Sequence, residues 1–230
     1  MDIQRFGDSA LIVDFGRGIS LEVNAGVMAY YQHFLTEKLK GVTDIIPAYK
    51  SLTFVYNPII ITYEELQEKI KKVRLDISDI DKKVVKVPVC YQLAPDQDDF
   101  CRVSGLTWKE VIELHMSKVY HIYMMGFLPG FLYMGEVDEQ IRLPRKNEPR
   151  KKVEAGSVGI ADAQTGIYPI TSPGGWNILG QTPIRLFDPF AQDPFPIEVG
   201  GSVQFFEVSK KEFATIAKDK HYKIERIDAS

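Results

Sequence analysis

Cysteine is scarce in this chain and forms no pattern. Cys90 and Cys101 are the only two in 230 residues, they are not spaced as Cys-x-x-Cys, and four scattered histidines do not complete a zinc set. Two free thiols in a reducing compartment are expected, with no metal and no catalytic cysteine. No apolar run approaches the ~20 residues that span a bilayer. The N-terminal MDIQRFGDSALIVDFG lacks the basic start and apolar block of a secretory signal. The expectation is a cytoplasmic protein away from membranes. A net charge of −3 gives no general attraction to nucleic acid. Also missing are GxGxxG, GxxxxGK[ST], GxSxG and any carboxylate pair marked by spacing. No reaction can be assigned from a standard motif.

What is present is enough apolar material, 45% of residues, for a substantial core. Residues 1–80 read as a small two-layer α/β sandwich. ALIVDF (10–15) is a strand, and Asn24 is placed to cap a helix with an apolar stripe of Val27, Tyr30, Tyr31, Phe34 and Leu35. SLTFVY (51–56) alternates as a strand, and Thr62 with Glu65 forms a capping box opening a second helix. The polar stretch 75–84 is the candidate linker. Residues 85–230 read as a β-barrel-like domain of short strands: VVKVPVCY, VYHIYM, SVGIA, GIYPI, PIRLF and SVQFFEV. Pro88 hints at an edge or a bulge in the first of these. Capping boxes at Thr107–Glu110 and Ser209–Glu212 open two helices among them.

The stretch from Met125 to Pro183 is far richer in glycine, proline, aromatics and arginine than scaffolding needs, which suggests a shaped surface of loops. Three pieces stand out. Phe127, Pro129, Gly130, Phe131 and Tyr133 form a rigid aromatic turn, with Gln164 and Tyr168 further along. Arg145 and Arg150 stand beside prolines that limit the backbone, so each guanidinium fork is held with little entropy loss, ready for carboxylate or phosphate. In SPGGW, Ser172 and Pro173 lead into Gly174 and Gly175, whose amides are expected to be open to a ligand beside the flat wall of Trp176. His115 shares a helix face with Trp108, Val111 and Ile112, so it points inward. It is either a core histidine bonded to a carbonyl or a general base near the loop.

At these residues the sequence resembles the family of the 5-oxoprolinase B subunit. That family also takes in proteins named allophanate hydrolase subunit 1 and a bacterial inhibitor of a sporulation histidine kinase. The likeness rests on RFGDSALIV, DIIPAYKSLTFVYNP, VPVCY, GFLPGFLYMG, LPRKNEPRKKVEAGSVGIADAQTGIYPITSPGGW and ILGQTP, nearly the whole chain. The resemblance implies an α+β N-terminal domain followed by a cyclophilin-like β-barrel. It implies one component, inactive alone, of an ATP-dependent enzyme that hydrolyses 5-oxoproline to glutamate together with a homologous C subunit and a separate A subunit. It implies roles there for His115, Arg145, Arg150 and the Gly174–Gly175 amides. Gln181, Glu154 and Gly200–Gly201 depart from the family's usual pattern.

The same resemblance leaves a second reading open. The chain would then be a regulator docking on a histidine kinase, with Phe127, Phe131 and Trp176 as aromatic anchors. A homologue of the C subunit would antagonise it. A barrel of cyclophilin type alone suggests prolyl isomerisation, but fold does not imply function.

Overall fold

The computed structural model describes residues 1–75, 83–219 and 222–228, and divides into two units, Met1–Asp81 and Lys82–Ser230. Local sequence signals place the helices in both. In the first unit the order is β1 (Asp2–Arg5), β2 (Ala10–Asp14), α1 (Leu21–Glu37), β3 (Val42–Pro47), β4 (Ser51–Tyr56) and α2 (Tyr63–Lys72). The strands form an antiparallel sheet in the order β1-β2-β4-β3. Period-two alternation turns Leu11, Val13, Leu52 and Phe54 to one face, where Val27 and Phe34 of α1 and Leu66 and Ile70 of α2 complete the core. The Thr62–Glu65 box carries both reciprocal bonds. Asn24 does not cap α1. Ser20 does, accepting from Val23 N–H, because the helix starts one turn earlier than its apolar stripe suggests. Asn24 is instead buried and donates to the carbonyls of Ala48 and Tyr49, tying the β3–β4 turn to the helix.

The linker expected at 75–84 falls largely on residues 76–82, outside the described residues. The second unit then runs β5 (Lys83–Val89), α3 (Gln97–Ser104), α4 (Trp108–Met116), β6 (Val119–Met125), β7 (Leu132–Gly135) and β8 (Arg150–Val153). It continues with β9 (Ser157–Ala161), β10 (Gln164–Ile167), β11 (Ser172–Gly174), β12 (Asn177–Gln181), β13 (Ser202–Glu207), α5 (Lys210–Lys218) and β14 (Arg226–Asp228). Both remaining capping boxes are formed, at α4 and α5.

Eight strands make one sheet, ordered β12-β9-β10-β7-β6-β13-β5-β14, and β8 pairs separately with β11. This corrects the expected barrel: among the described residues no closed barrel forms, and a single antiparallel bridge, Cys90–Gln181, links the chain after β5 to β12. That bridge also explains Pro88. Residues 86, 88 and 90 face one edge of β5; Lys86 N–H goes to Glu225 O and Cys90 N–H to Gln181 O. Pro88 falls between them, where a missing donor breaks no ladder. The PIRLF segment (183–187) is not a strand either. Ile184 and Leu186 are buried on an alternating pattern, but Pro183 starts an irregular segment that pairs with no strand. Alternation reports burial there, not pairing.

Gly156 is fixed by its surroundings. Its N–H donates to Tyr168 O at 2.7 Å, its carbonyl accepts from Thr182 N–H at 2.8 Å, and its φ is +81°. A Cβ would stand 2.3 Å from Thr182 O. Gly156→Ala is therefore expected to cost on the order of 2–3 kcal/mol through left-handed strain and backbone collision. A urea midpoint equal to that of the parent chain would refute this.

Candidate functional site

The β6–β7 hairpin sets one side of the site. Its turn is closed by Leu128 N–H to Gly126 O and Phe131 N–H to Leu128 O. Gly130, at φ +85°, lies where a Cβ would meet Leu186 O at 2.9 Å and Phe187 Cβ at 3.0 Å, so only glycine fits. The exposed Pro129 and the 62% exposed Phe127 form the tip, and Phe131 is drawn inward. Phe131 becomes the hub of an aromatic cluster. Its centroid lies 4.7 Å from Tyr133, 5.1 Å from Tyr168 and 5.4 Å from Trp176, the last two edge to face.

The floor beneath this cluster has no side chains. Gly166 of β10 is paired in register with Gly159 of β9 and with Tyr133 of β7. A Cβ on Gly166 would meet Trp176 Cζ3 at 2.9 Å, and one on Gly159 would meet Trp176 Cβ at 3.2 Å. The two glycines thus let the indole lie against the sheet. Neither was singled out from the sequence, although a glycine inside a strand pattern marks close approach. Gln164 shares this face of β10, two residues from Gly166, and the register continues through Gly135 to His121. Burial pushes the His121 imidazole down to about 4, so it is neutral at physiological pH.

The two arginines have different fates. Arg145 is exposed, and among the described residues no hydrogen bond or ion pair holds its guanidinium. Burial raises the Tyr133 and Tyr168 phenols, and the positive charge of Arg145 opposes that rise at both. Arg150 is half-buried and committed: it donates to Asp96 Oδ1 in a short ion pair and to Trp176 O at 3.4 Å. The expectation of two ligand-facing forks therefore narrows to Arg145.

The glycine pair in SPGGW is also corrected. Gly174 and Gly175 are buried, with the Tyr168 hydroxyl against Gly174, where a Cβ would lie only 2.3 Å away. Gly175 O accepts from Lys146 N–H at 2.8 Å, and Ser172 is buried with its hydroxyl on Pro173 O while Pro173 is exposed. The glycines make room for a tyrosine and offer no open row of amides.

His115 is wholly buried. Its Nδ1 is 2.7 Å from the Tyr91 hydroxyl and its Nε2 is 3.2 Å from Thr165 Oγ1. Thr165 Oγ1 already donates to Gly159 O, so it accepts from Nε2–H and leaves Nδ1 to accept from Tyr91. Burial pushes the imidazole down to about 3, fixing the neutral form. With no ring atom reachable, it is a core histidine and not a surface base. Phe131 and Trp176, at 1% and 5% exposure, are likewise too buried to serve as anchors for a partner protein.

The result is a mostly buried aromatic cluster packed on glycines, of which Tyr133 is partly exposed, with the exposed Phe127 and Arg145 nearby in the chain. The groups left to meet a ligand suit a small anionic molecule: Tyr133 and Phe127 supply apolar contact and the Arg145 fork takes a carboxylate. Among the described residues no group of histidine, cysteine or carboxylate side chains is placed to hold a metal ion, and no helix is long and apolar enough to cross a membrane.

Comparisons with known proteins agree on one relationship. A family model described as "Carboxyltransferase domain, subdomain C and D" matches residues 1–197. The 5-oxoprolinase B subunit of Bacillus subtilis (strain 168) is 35% identical over 227 residues, covering 92% of this chain and 94% of that protein. The 5-oxoprolinase B subunit of Escherichia coli O157:H7 is 33% identical over 204 residues, 86% of this chain and 92% of that protein. The crystal structure of TTHA0988 superposes with a TM-score of 0.81 at 36% identity over 87% of this chain, which spans only 40% of that longer one.

Proposed function

This chain belongs to the family of the 5-oxoprolinase B subunit, and from that membership we propose that it is one component of a heteromeric, ATP-dependent 5-oxoprolinase. The observation that carries the reading is the match, along nearly the full length, to three proteins of that name. In this reading the complex opens the lactam of 5-oxoproline to glutamate, with homologues of the C and A subunits as partners. A lactam carbonyl is a poor electrophile, and ATP supplies the phosphoryl group that turns its oxygen into a better leaving group.

The face described above fits the other half of the task. 5-Oxoproline is a five-membered ring with one carboxylate. Arg145 takes the carboxylate, and the partly exposed Tyr133 and the exposed Phe127 supply apolar contact to the ring. Gly174 is packed against the Tyr168 hydroxyl and Gly175 against Lys146 O and Pro149, so this pair does not form a cradle for phosphate. The nucleotide is used by the complex as a whole. The second unit is further read as a relative of the cyclophilin-like fold, opened at the position spanned by the Cys90–Gln181 bridge. The kinase-regulator reading is the weaker one, since of its three aromatic anchors only Phe127 is exposed.

The test is reconstitution. Alone, the chain is expected to release no ADP; combined with its partners, it is expected to support ADP release that depends on 5-oxoproline. A reconstituted set whose ATP turnover ignores 5-oxoproline would overturn the proposal.

A further inference from the structure

We infer that Asp96 is a positioning residue that sets Arg145 and Trp176 against one another. The inference rests on the reading that Arg145 binds the substrate next to the aromatic cluster that Trp176 holds together.

Asp96 stands at the start of α3 with only 3% of its surface exposed, and both of its oxygens are used. Oδ2 accepts from the N–H of Ile178 at 2.6 Å. Oδ1 accepts from Arg150 and, at 2.9 Å, from Lys146 Nζ. Both residues also reach the segment that bears the tryptophan, Arg150 through its guanidinium and Lys146 through its backbone N–H. Arg150 donates to Trp176 O at 3.4 Å, and the Lys146 N–H donates to Gly175 O at 2.8 Å. Asn177 Nδ2 closes the set, donating to Pro144 O at 2.8 Å.

Two short segments are thereby fastened together. Gly175, Trp176, Asn177 and Ile178 are each bonded to Asp96, to one of its cation partners, or to Pro144. Arg145 lies between Pro144 and Lys146, both of which are held in the same set. The backbone around Arg145 thus has little freedom while its side chain carries no bond to the described residues. An unpaired, exposed guanidinium on a fixed backbone is preorganised for an anion. Asp96 is also the reason that Arg150 is not available to a ligand. Lys146 is held a second time by Asp99 Oδ2 at 2.9 Å; burial works against its charge, but the bonds to Asp99 and Asp96 prevail and raise its pKa.

The experiment uses Asp96→Asn in the full chain, in a Trp108→Phe background that leaves Trp176 as the sole tryptophan. Two readouts are taken: Trp176 emission with acrylamide quenching on the chain itself, and steady-state kinetics in the reconstituted enzyme. The expected result is a red-shifted, more quenchable emission and a KM for 5-oxoproline raised roughly 10-fold, with kcat within about twofold, as removal of a ground-state binding arrangement requires. Arg150→Lys, which keeps the charge on Asp96 and loses the planar fork, is expected to move both readouts part of the way and covers the case in which Asp96→Asn does not fold. Unchanged Trp176 emission in a folded variant overturns the inference. Altered emission with unchanged KM upholds the positioning of Trp176 and overturns instead the assignment of this face to the substrate.

Discussion

His115→Ala is expected to destabilise the protein by about 3–5 kcal/mol, as loss of a large buried ring does elsewhere. The imidazole is stacked on Phe205 at 4.5 Å, faces Tyr120 at 5.3 Å and Tyr91 edge-on at 5.8 Å, and accepts the Tyr91 hydroxyl proton. Its removal leaves a cavity and a buried phenol with no acceptor, and the second effect alone costs about 1–3 kcal/mol. The substitution should also change the response to acid. The folded His115 stays neutral down to about pH 3, whereas the unfolded side chain takes up a proton near its ordinary value of 6.5. Between these values the unfolded state binds more protons, so the stability fully present above pH 6.5 is lost as the pH falls, by about 1.4 kcal/mol per unit. His121, held down to about 4, acts in the same direction. Urea denaturation at pH 7, 6 and 5 is expected to show a steep slope in the parent chain and a clearly shallower one in His115→Ala. Parallel slopes would mean that the buried imidazole is not the source.

Arg145→Ala should have the largest effect on turnover and almost none on the fold. A hydrogen-bonded contact with a charged group contributes roughly 1.5–3 kcal/mol, so kcat/KM for 5-oxoproline in the reconstituted enzyme should fall about 10–150-fold, mainly through KM. The side chain is exposed and bonded to nothing within the described residues. The urea midpoint should therefore stay within about 0.5 kcal/mol of the parent. Arg145→Lys should recover part of the loss, since it keeps the charge and gives up the bidentate fork. The contrast with Arg150 is informative, because removing Arg150 strips a buried carboxylate of a partner and should cost stability first. Unaltered kinetics in Arg145→Ala would remove the residue from the site.

The features legible in the sequence were those set within a few residues. Thr62, Thr107 and Ser209 each stand three positions before a glutamate, and all three boxes form because the partners are held by one helical turn. β2, β4, β9 and β13 likewise follow their own alternation or apolar runs. What was not legible depends on distant partners. α3 carries a single buried residue, Phe100, and so has no stripe to announce it. Arg150 and Arg145 look alike in their proline-flanked settings, and only Asp96, 54 positions from Arg150, separates the bound cation from the free one. Gly174 reads as a ligand-facing glycine until the Tyr168 hydroxyl is found against it. Composition alone picks out the stretch of chain that carries the candidate site, while neighbours several to many positions away, inside and outside that stretch, decide what each residue can do there.

The pairing of β5 with β13 has a consequence for synthesis. These are parallel neighbours, Ser202 opposite Val84 and Glu207 opposite Val89, so the two strands lie at opposite ends of the second unit's sequence. Until Glu207 has left the ribosome, β5 has no parallel partner, whereas β6, β7, β10, β9 and β12 already have one another to pair with. The first unit has no such dependence, since its sheet is complete by Tyr56 and its second helix by Lys72. The order of folding during translation is thus written into the strand order: the small unit first, and the large one completed only once β13 has been made.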